Sequence, residues 1–117
     1  MPSRYEPSGL NQLYSLRYGT VPVVRRTGGL ADSIVDTTPR SLEQGTANGF
    51  VFEAYTPSAL WEALRRALEA YRVPAVWLPV QQRGMRADFS WNRSAGRYVE
   101  LYERALTRRG RARQAGR

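Results

Sequence analysis

Apolar residues follow two different spacings along this chain, and the change between them predicts an α/β fold. Short apolar runs at Val21 to Val24 and at Gly49 to Glu53 are typical of buried strands. After the second run, apolar residues recur at intervals of three and four, on a face formed by Leu60, Ala63, Leu64, Ala67, Leu68 and Tyr71. This spacing predicts an amphipathic helix that begins after Thr56 and turns Arg65 and Arg66 toward solvent.

Glycines mark the turns in the first third of the chain. Ser8 and Gly9 predict the start of a helix that runs to about Tyr18, where Gly19 ends it. The Thr-Gly-Gly sequence at residues 27 to 29 then predicts a second turn, from the first strand into a short helix. The order in this region is therefore helix, strand, turn and helix.

The rest of the sequence predicts a polar loop followed by further helices. Residues 37 to 48 are polar, contain Pro39 and Gly45, and predict a surface loop. Another helix is expected from Pro74 to near Gly84. Ser90 is a good N-cap for the last helix, whose apolar face consists of Tyr98, Leu101, Tyr102 and Ala105.

Two strands that are each followed by helices predict parallel pairing through crossover connections. The expected fold class is α/β, a partial Rossmann-like parallel sheet with flanking helices. A complete nucleotide-binding domain of this kind has more strands than this sequence supplies. We therefore expect the sheet to be incomplete.

Positive charge is concentrated at the carboxyl end. The net charge of +8 comes from 18 basic residues, all arginine, and 10 acids, and residues 107 to 117 hold five of the arginines without an acid. We expect one domain over residues 1 to 106 and a basic disordered tail over 107 to 117. Such a tail is able to bind a polyanion, although a solvated terminus is the simpler interpretation, so no nucleic acid partner is expected.

Several classes of protein are disfavoured by what the composition omits. The sequence contains no cysteine and no histidine, which argues against disulfides and against the commonest metal ligands, and we expect no metal or other cofactor. No apolar run is long enough to span a membrane, and the first residues do not resemble a signal peptide. A cytoplasmic protein without a membrane partner is expected.

The first helix start is the strongest candidate for a binding site. Free backbone N–H groups at a helix start attract anions, and Ser8 and Gly9 provide such a start. Glu6, just before it, is either a ligand-facing carboxylate or a cap that accepts from backbone donors. The turn at residues 27 to 29 follows a strand at its carboxyl end, which is where open parallel sheets bind ligands.

Over nearly its whole length the chain resembles the carboxyl-terminal domain of bacterial glycogen synthases and plant starch synthases. Their pattern, Pro-Ser-Arg-aromatic-Glu-Pro-Cys-Gly-Leu-x-Gln-Leu, then Tyr-Gly, a Pro-Val-Val-like strand and Thr-Gly-Gly-Leu-x-Asp, is reproduced from Pro2 to Asp32. The exception is Ser8, which stands where cysteine is usual. The similarity continues through residues 49 to 52 and 88 to 91 to about Leu106.

The resemblance implies a retaining glucosyltransferase of the two-domain GT-B architecture, which transfers glucose from ADP-glucose to an α-1,4-glucan acceptor without a metal. It implies that this chain is the later part of the second domain, and that the amino-terminal domain with its Lys-x-Gly-Gly loop is missing. On this basis we expect the isolated chain to be inactive.

The resemblance also implies roles for individual residues. Glu6 is the expected catalytic-site carboxylate, facing the donor glucose. The expected donor-binding residues are Ser8, Gly9, Leu10, Asn11, Thr27, Gly28 and Gly29. Gly9 and Leu10 are expected to bind the donor through main-chain amides. Ser8 is expected to bind through its backbone as well, so serine in place of cysteine is not expected to impair donor binding. Tyr14 stands where related GT-B families often place a ribose-binding glutamate, which disfavours those relatives.

Three alternatives remain open at this point. The first is another GT-B transferase, with a UDP- or GDP-sugar donor. The second is a non-catalytic binding module that binds a polyanion through its arginine-rich tail, or a glucan through its aromatic residues. The third is a truncated product without function.

Overall fold

The computed structural model describes residues 1 to 115, and side chains as far as residue 108. The chain divides into two compact units, Met1–Ala87 and a second that begins at Asp88. The first unit contains five helices and two strands: α1 Asn11–Arg17, β1 Val23–Arg25, α2 Gly28–Ser33, α3 Pro39–Glu43, β2 Phe50–Phe52, α4 Pro57–Tyr71 and α5 Pro74–Arg86. The second unit contains α6, Trp91–Ala115.

The two strands pair in parallel, as the sequence predicted. Val23 lies opposite Phe50 and Val24 lies opposite Val51, and α2 and α3 occupy the connection between the strands. Both strands are shorter than the apolar runs that predicted them. The α/β fold class, with a small parallel sheet and flanking helices, is confirmed.

The core of the first unit joins α1 to the sheet and to α2. Its buried cluster is formed by Leu16, Val24, Leu30, Ile34 and Val51. All three residues of β2 are buried, which explains why its sequence is apolar at consecutive positions. Leu16 is the α1 residue of this cluster, so the core anchors the helix against the sheet and α2.

Two glycines set the length of α1. The helix covers residues 11 to 17 instead of the predicted 8 to 18, because Gly9 adopts φ +73° and so stands outside the helix. Gly19 adopts φ +77° and ends the helix at its other end, as predicted. Residues 6 to 10 consequently form an irregular turn in front of α1.

The polar segment 37 to 48 contains a helix that the sequence analysis missed. Thr38 is the N-cap of α3, and its hydroxyl accepts from the Ser41 N–H at 3.1 Å while the Ser41 hydroxyl accepts from the Thr38 N–H at 2.9 Å. Pro39 occupies the first turn of the helix, where its missing N–H costs nothing. The proline that was interpreted as a breaker therefore helps to start this helix.

One side of α4 is packed differently from the prediction. Thr56 is its N-cap, as expected, but only Ala63 and Ala67 are buried along the apolar stripe, while Leu68 and Tyr71 are more than half exposed. Arg66, which was expected to face solvent, turns inward instead, because Asp36 and free backbone carbonyls lie within its reach.

Arg66 joins α4 to both the sheet and the preceding turn. Its guanidinium contacts the Asp36 carboxylate at 3.1 Å and donates to the Val51 carbonyl at 2.8 Å and to the Thr37 carbonyl at 3.2 Å. Asp36 in turn accepts from the Val51 N–H at 2.7 Å. The two charged side chains are 29% and 21% exposed, so they are partly shielded from water.

Replacing Arg66 by methionine is expected to lower the free energy of unfolding by about 2 kcal/mol, because it leaves the Asp36 carboxylate without its ion-pair partner and two carbonyls without their donor. The midpoint of urea unfolding measures this loss. Arg65→Met is the matched control, since Arg65 is the preceding residue of the same helix and pairs only with exposed Glu62 and Glu69. The control is expected to leave the midpoint almost unchanged, because ion pairs between exposed side chains contribute little to stability. Equal losses in the two variants would contradict the assignment.

The carboxyl end differs from the expected organisation. The boundary between units falls at Asp88 instead of residue 106, and α6 continues through residues 107 to 115, which were expected to be a disordered tail. Alanine, arginine and glutamine are strong helix formers, so this segment extends a helix that has already begun. Residues 116 and 117 of the predicted tail lie outside the described residues.

Candidate functional site

Two turns lie against each other at the amino end of α1: residues 6 to 10, called the Glu6 turn, and residues 27 to 29, called the Gly29 turn. The Gly29 N–H donates to the Glu6 carbonyl at 3.0 Å. A Cβ on Gly28 would lie 2.0 Å from the Glu6 carbonyl oxygen, and a Cβ on Gly29 would lie 1.9 Å from that of Ser8. Only glycine permits this approach of two backbones. The sequence-predicted residues are thus brought together in one place.

The Glu6 carboxylate is half-buried at the edge of this contact. Its hydrogen-bond partner in the structure is the Ser3 hydroxyl, at 3.4 Å, and its side chain passes next to Gly9. Among the described residues no arginine pairs with it and no backbone N–H donates to it. The alternative role of a capping carboxylate is therefore not the one seen here, and the carboxylate is left with acceptor capacity for a ligand.

The remaining residues of the Glu6 turn lie at the surface. Ser8, Leu10 and Asn11 are exposed, and Gly9 holds the left-handed conformation that separates the turn from α1. Leu10 is the N-cap residue and has no side-chain acceptor for the first amides of the helix. Backbone N–H groups of the turn are therefore accessible beside the Glu6 carboxylate.

The Gly29 turn supports the Glu6 turn from behind. Thr27 is extended and begins α2, and its carbonyl accepts from Leu30 at 3.1 Å. The Gly29 N–H is already occupied by the Glu6 carbonyl. The geometry thus favours a role for Gly28 and Gly29 in close backbone packing, in addition to the ligand contact that the sequence predicted for this turn.

Two residues that the sequence analysis did not single out hold the Glu6 turn in place. Arg25 donates to the Arg4 carbonyl at 2.7 Å and to the Glu53 carbonyl at 3.0 Å, which fixes the segment leading into the turn. Gln12 is buried, with 1% of its surface exposed, and donates into the turn from beneath. The available signals for Gln12 were its place in the Leu-x-Gln-Leu part of the family pattern and its spacing of four from the core residue Leu16.

Two classes of feature are absent from the described part of the chain. Residues 1 to 108 contain no group of three or more acidic, cysteine or histidine side chains placed to hold a metal ion. In the described residues, no helix has both the length and the hydropathy that a membrane crossing requires.

The sequence of this chain is similar to those of bacterial glycogen synthases. No protein-family model matches the chain. The chain is 59% identical over 111 residues to the glycogen synthase of Geotalea daltonii, covering 95% of this chain and 22% of the relative. It is 60% identical over 106 residues to glycogen synthase 1 of Methylococcus capsulatus, covering 91% of this chain and 22% of the relative.

A solved structure agrees with the sequence matches. The catalytic domain of starch synthase IV from Arabidopsis thaliana, bound to ADP and acarbose, superimposes with a TM-score of 0.76 at 38% identity. The match covers 91% of this chain and 22% of that one. The resemblance to glycogen and starch synthases is confirmed, and the chain corresponds to about a fifth of the length of these relatives.

Proposed function

We propose that this chain forms the donor-sugar side of a retaining glucosyltransferase that elongates α-1,4-glucan from ADP-glucose. The observation that carries the proposal is the match to glycogen synthases along almost the entire chain, 59% identity over 111 residues in one case. The ligand chemistry is consistent with it, since the starch synthase neighbour was bound to ADP. A cytoplasmic location is part of this proposal.

The geometry of the two turns supports specific roles. Glu6 faces the donor glucose, where a carboxylate stabilises the positive charge that develops on the sugar ring as the bond to phosphate breaks. The amides of Gly9 and Leu10 receive the sugar and the distal phosphate, whose negative charge grows in the same step. Ser8 and Asn11 border this position, and the Gly29 turn fixes it from behind.

A further domain supplies the opposite wall of the cleft in this proposal. The relatives are much longer than this chain, which covers 22% of each of the two bacterial enzymes compared above. Transfer requires the acceptor glucan and the donor to be held together in a water-excluding site. The two turns described here offer one surface of such a site.

A chimera tests the proposal directly. The matched segment of the Methylococcus capsulatus enzyme, 60% identical over 106 residues, is replaced by the corresponding residues of this chain. We expect the chimera to transfer glucose from ADP-glucose to glycogen with kcat/KM within about tenfold of the parent, a difference of about 1.4 kcal/mol in the barrier. The purified 117-residue chain, assayed in parallel, is expected to show no transfer.

Two results would contradict the proposal. One is a folded chimera, with the melting temperature of the parent, that transfers no glucose. The other is a chimera that prefers UDP-glucose or a GDP-sugar over ADP-glucose although the parent does not, which would favour the rival GT-B transferases.

A further inference from the structure

Gln12 lies beneath the Glu6 turn, and its polar side chain is buried. Its side-chain nitrogen donates to the Ser8 carbonyl at 2.9 Å and to the Gly9 carbonyl at 3.0 Å. A weaker contact at 3.4 Å reaches the hydroxyl of Ser33, which itself donates to the Gly29 carbonyl. One buried amide therefore connects the Glu6 turn to α2.

The same side chain is incompletely satisfied. Its oxygen Oε1 is buried and has no hydrogen-bond partner in the structure. An orphaned buried acceptor destabilises a fold, and an apolar residue of similar shape avoids that cost. The amide nitrogen, not the oxygen, is thus the part of this side chain that the fold uses.

The two carbonyls that Gln12 holds belong to the two peptides that carry the Gly9 and Leu10 N–H groups. A trans peptide directs its C=O and its N–H to opposite sides, and the structure contains no cis peptide among its described residues. Because both carbonyls point inward to Gln12, both N–H groups point away from it. Gly9 adopts φ +73°, a conformation that favours glycine, and a Cβ there would lie 2.6 Å from the Gln12 oxygen.

We propose that Gln12 is a positioning residue, which orients the Gly9 and Leu10 amides toward the donor by holding the opposite ends of their peptides. The identity of the donor rests on the function proposed above, whereas the orientation of the two peptides does not. Gln12 itself contacts no substrate. Its contribution is to fix the two amides before the ligand arrives, so that binding does not have to order them.

The first test uses the 117-residue chain without ligand. In Gln12→Met, which keeps the length of the side chain and removes its donor, the Gly9 and Leu10 amide resonances are expected to shift, while those of β1 and β2 stay in place. Gln81→Met is the matched control, because Gln81 also donates to a backbone carbonyl, that of Gly19 at 2.7 Å, at the other end of α1. It is expected to leave Gly9 and Leu10 unchanged.

The second test places the same substitutions in the chimera. Gln12→Met is expected to raise the KM for ADP-glucose about tenfold, the effect of losing roughly one oriented hydrogen bond, with the KM for glycogen unchanged. Gln12→Glu, which sets a carboxylate against two carbonyls, is expected to raise it further. A merely structural role would lower the apparent kcat through loss of folded enzyme and leave the KM for ADP-glucose unchanged.

The two tests distinguish failure of the Gln12 proposal from failure of the proposed function. Unshifted Gly9 and Leu10 resonances in Gln12→Met would overturn the positioning role, as would an unchanged KM for ADP-glucose in an active chimera. If the chimera with native Gln12 transfers no glucose, the proposed function fails, and the resonances of the free chain still decide whether Gln12 orients the two peptides.

Discussion

Replacing Gly29 by alanine is expected to destabilise the first unit by about 3 kcal/mol, at the upper end of the range for overpacked interiors. The new Cβ would lie 1.9 Å from the Ser8 carbonyl oxygen and 2.5 Å from two further backbone atoms of Ser8. No side-chain rotation relieves a clash with backbone, so the two turns must separate. That separation also breaks the hydrogen bond from the Gly29 N–H to the Glu6 carbonyl.

The midpoint of urea unfolding, followed by the amide exchange of β1 and β2, measures this effect. Gly96→Ala is the matched control, since a Cβ at Gly96 meets no atom within 4 Å and the residue lies inside α6. Gly96 belongs to the second compact unit, so the control is expected to leave the stability of the first unit unchanged. Within α6 itself, alanine is the better helix former by about 1 kcal/mol. A Gly29→Ala chain with the native midpoint would show that the turns are not interlocked.

Replacing Glu6 by glutamine in the chimera is expected to lower kcat about a hundredfold, the usual effect of removing one electrostatic group from the transition state. The substitution keeps the shape of the side chain and an acceptor for Ser3, and removes only the charge. The large effect follows from the position of the carboxylate, which no arginine neutralises among the described residues. Initial rates at saturating ADP-glucose and glycogen measure it.

Glu43→Gln provides the control for this substitution. Glu43 is an exposed carboxylate at the last position of α3, and its replacement removes the same charge from the chain. We expect kcat to be unchanged in this variant. A Glu6→Gln chimera that retains the full kcat would remove Glu6 from the catalytic machinery and leave it as a structural residue of the turn.

Local patterns were sufficient to predict most elements of the first unit. Gly19 ends α1, Thr56 begins α4 and the apolar run near residue 50 forms a strand, because each signal acts on its own few residues. The helix α3 was missed for a local reason, since a proline at the first turn of a helix looks like a breaker unless its cap is recognised.

Contacts between distant residues were not predictable in the same way. Arg66 lies on the polar side of the α4 pattern, yet it turns inward because Asp36, thirty positions earlier, is brought next to it by the sheet. Gln12, by contrast, lies three and four positions from its acceptors, and the Leu-x-Gln-Leu part of the family pattern includes it without indicating that it is buried. Only the approach of the Ser8 and Gly9 carbonyls makes it a buried donor.

The sequence by itself determined the α/β class, the parallel pair of strands, the family resemblance and the residues of the two turns, since these depend on spacing and residue type along the chain. The tertiary structure decided how the turns meet: the Gly29 N–H binds the Glu6 carbonyl, and Gln12 sets the direction of the adjacent peptides. The first contact links residues that are far apart in sequence and therefore exists only once the core has brought α1, β1 and α2 together. Gln12 lies three and four positions from its acceptors, but the direction of their carbonyls depends on the irregular turn that Gly9 forms before α1.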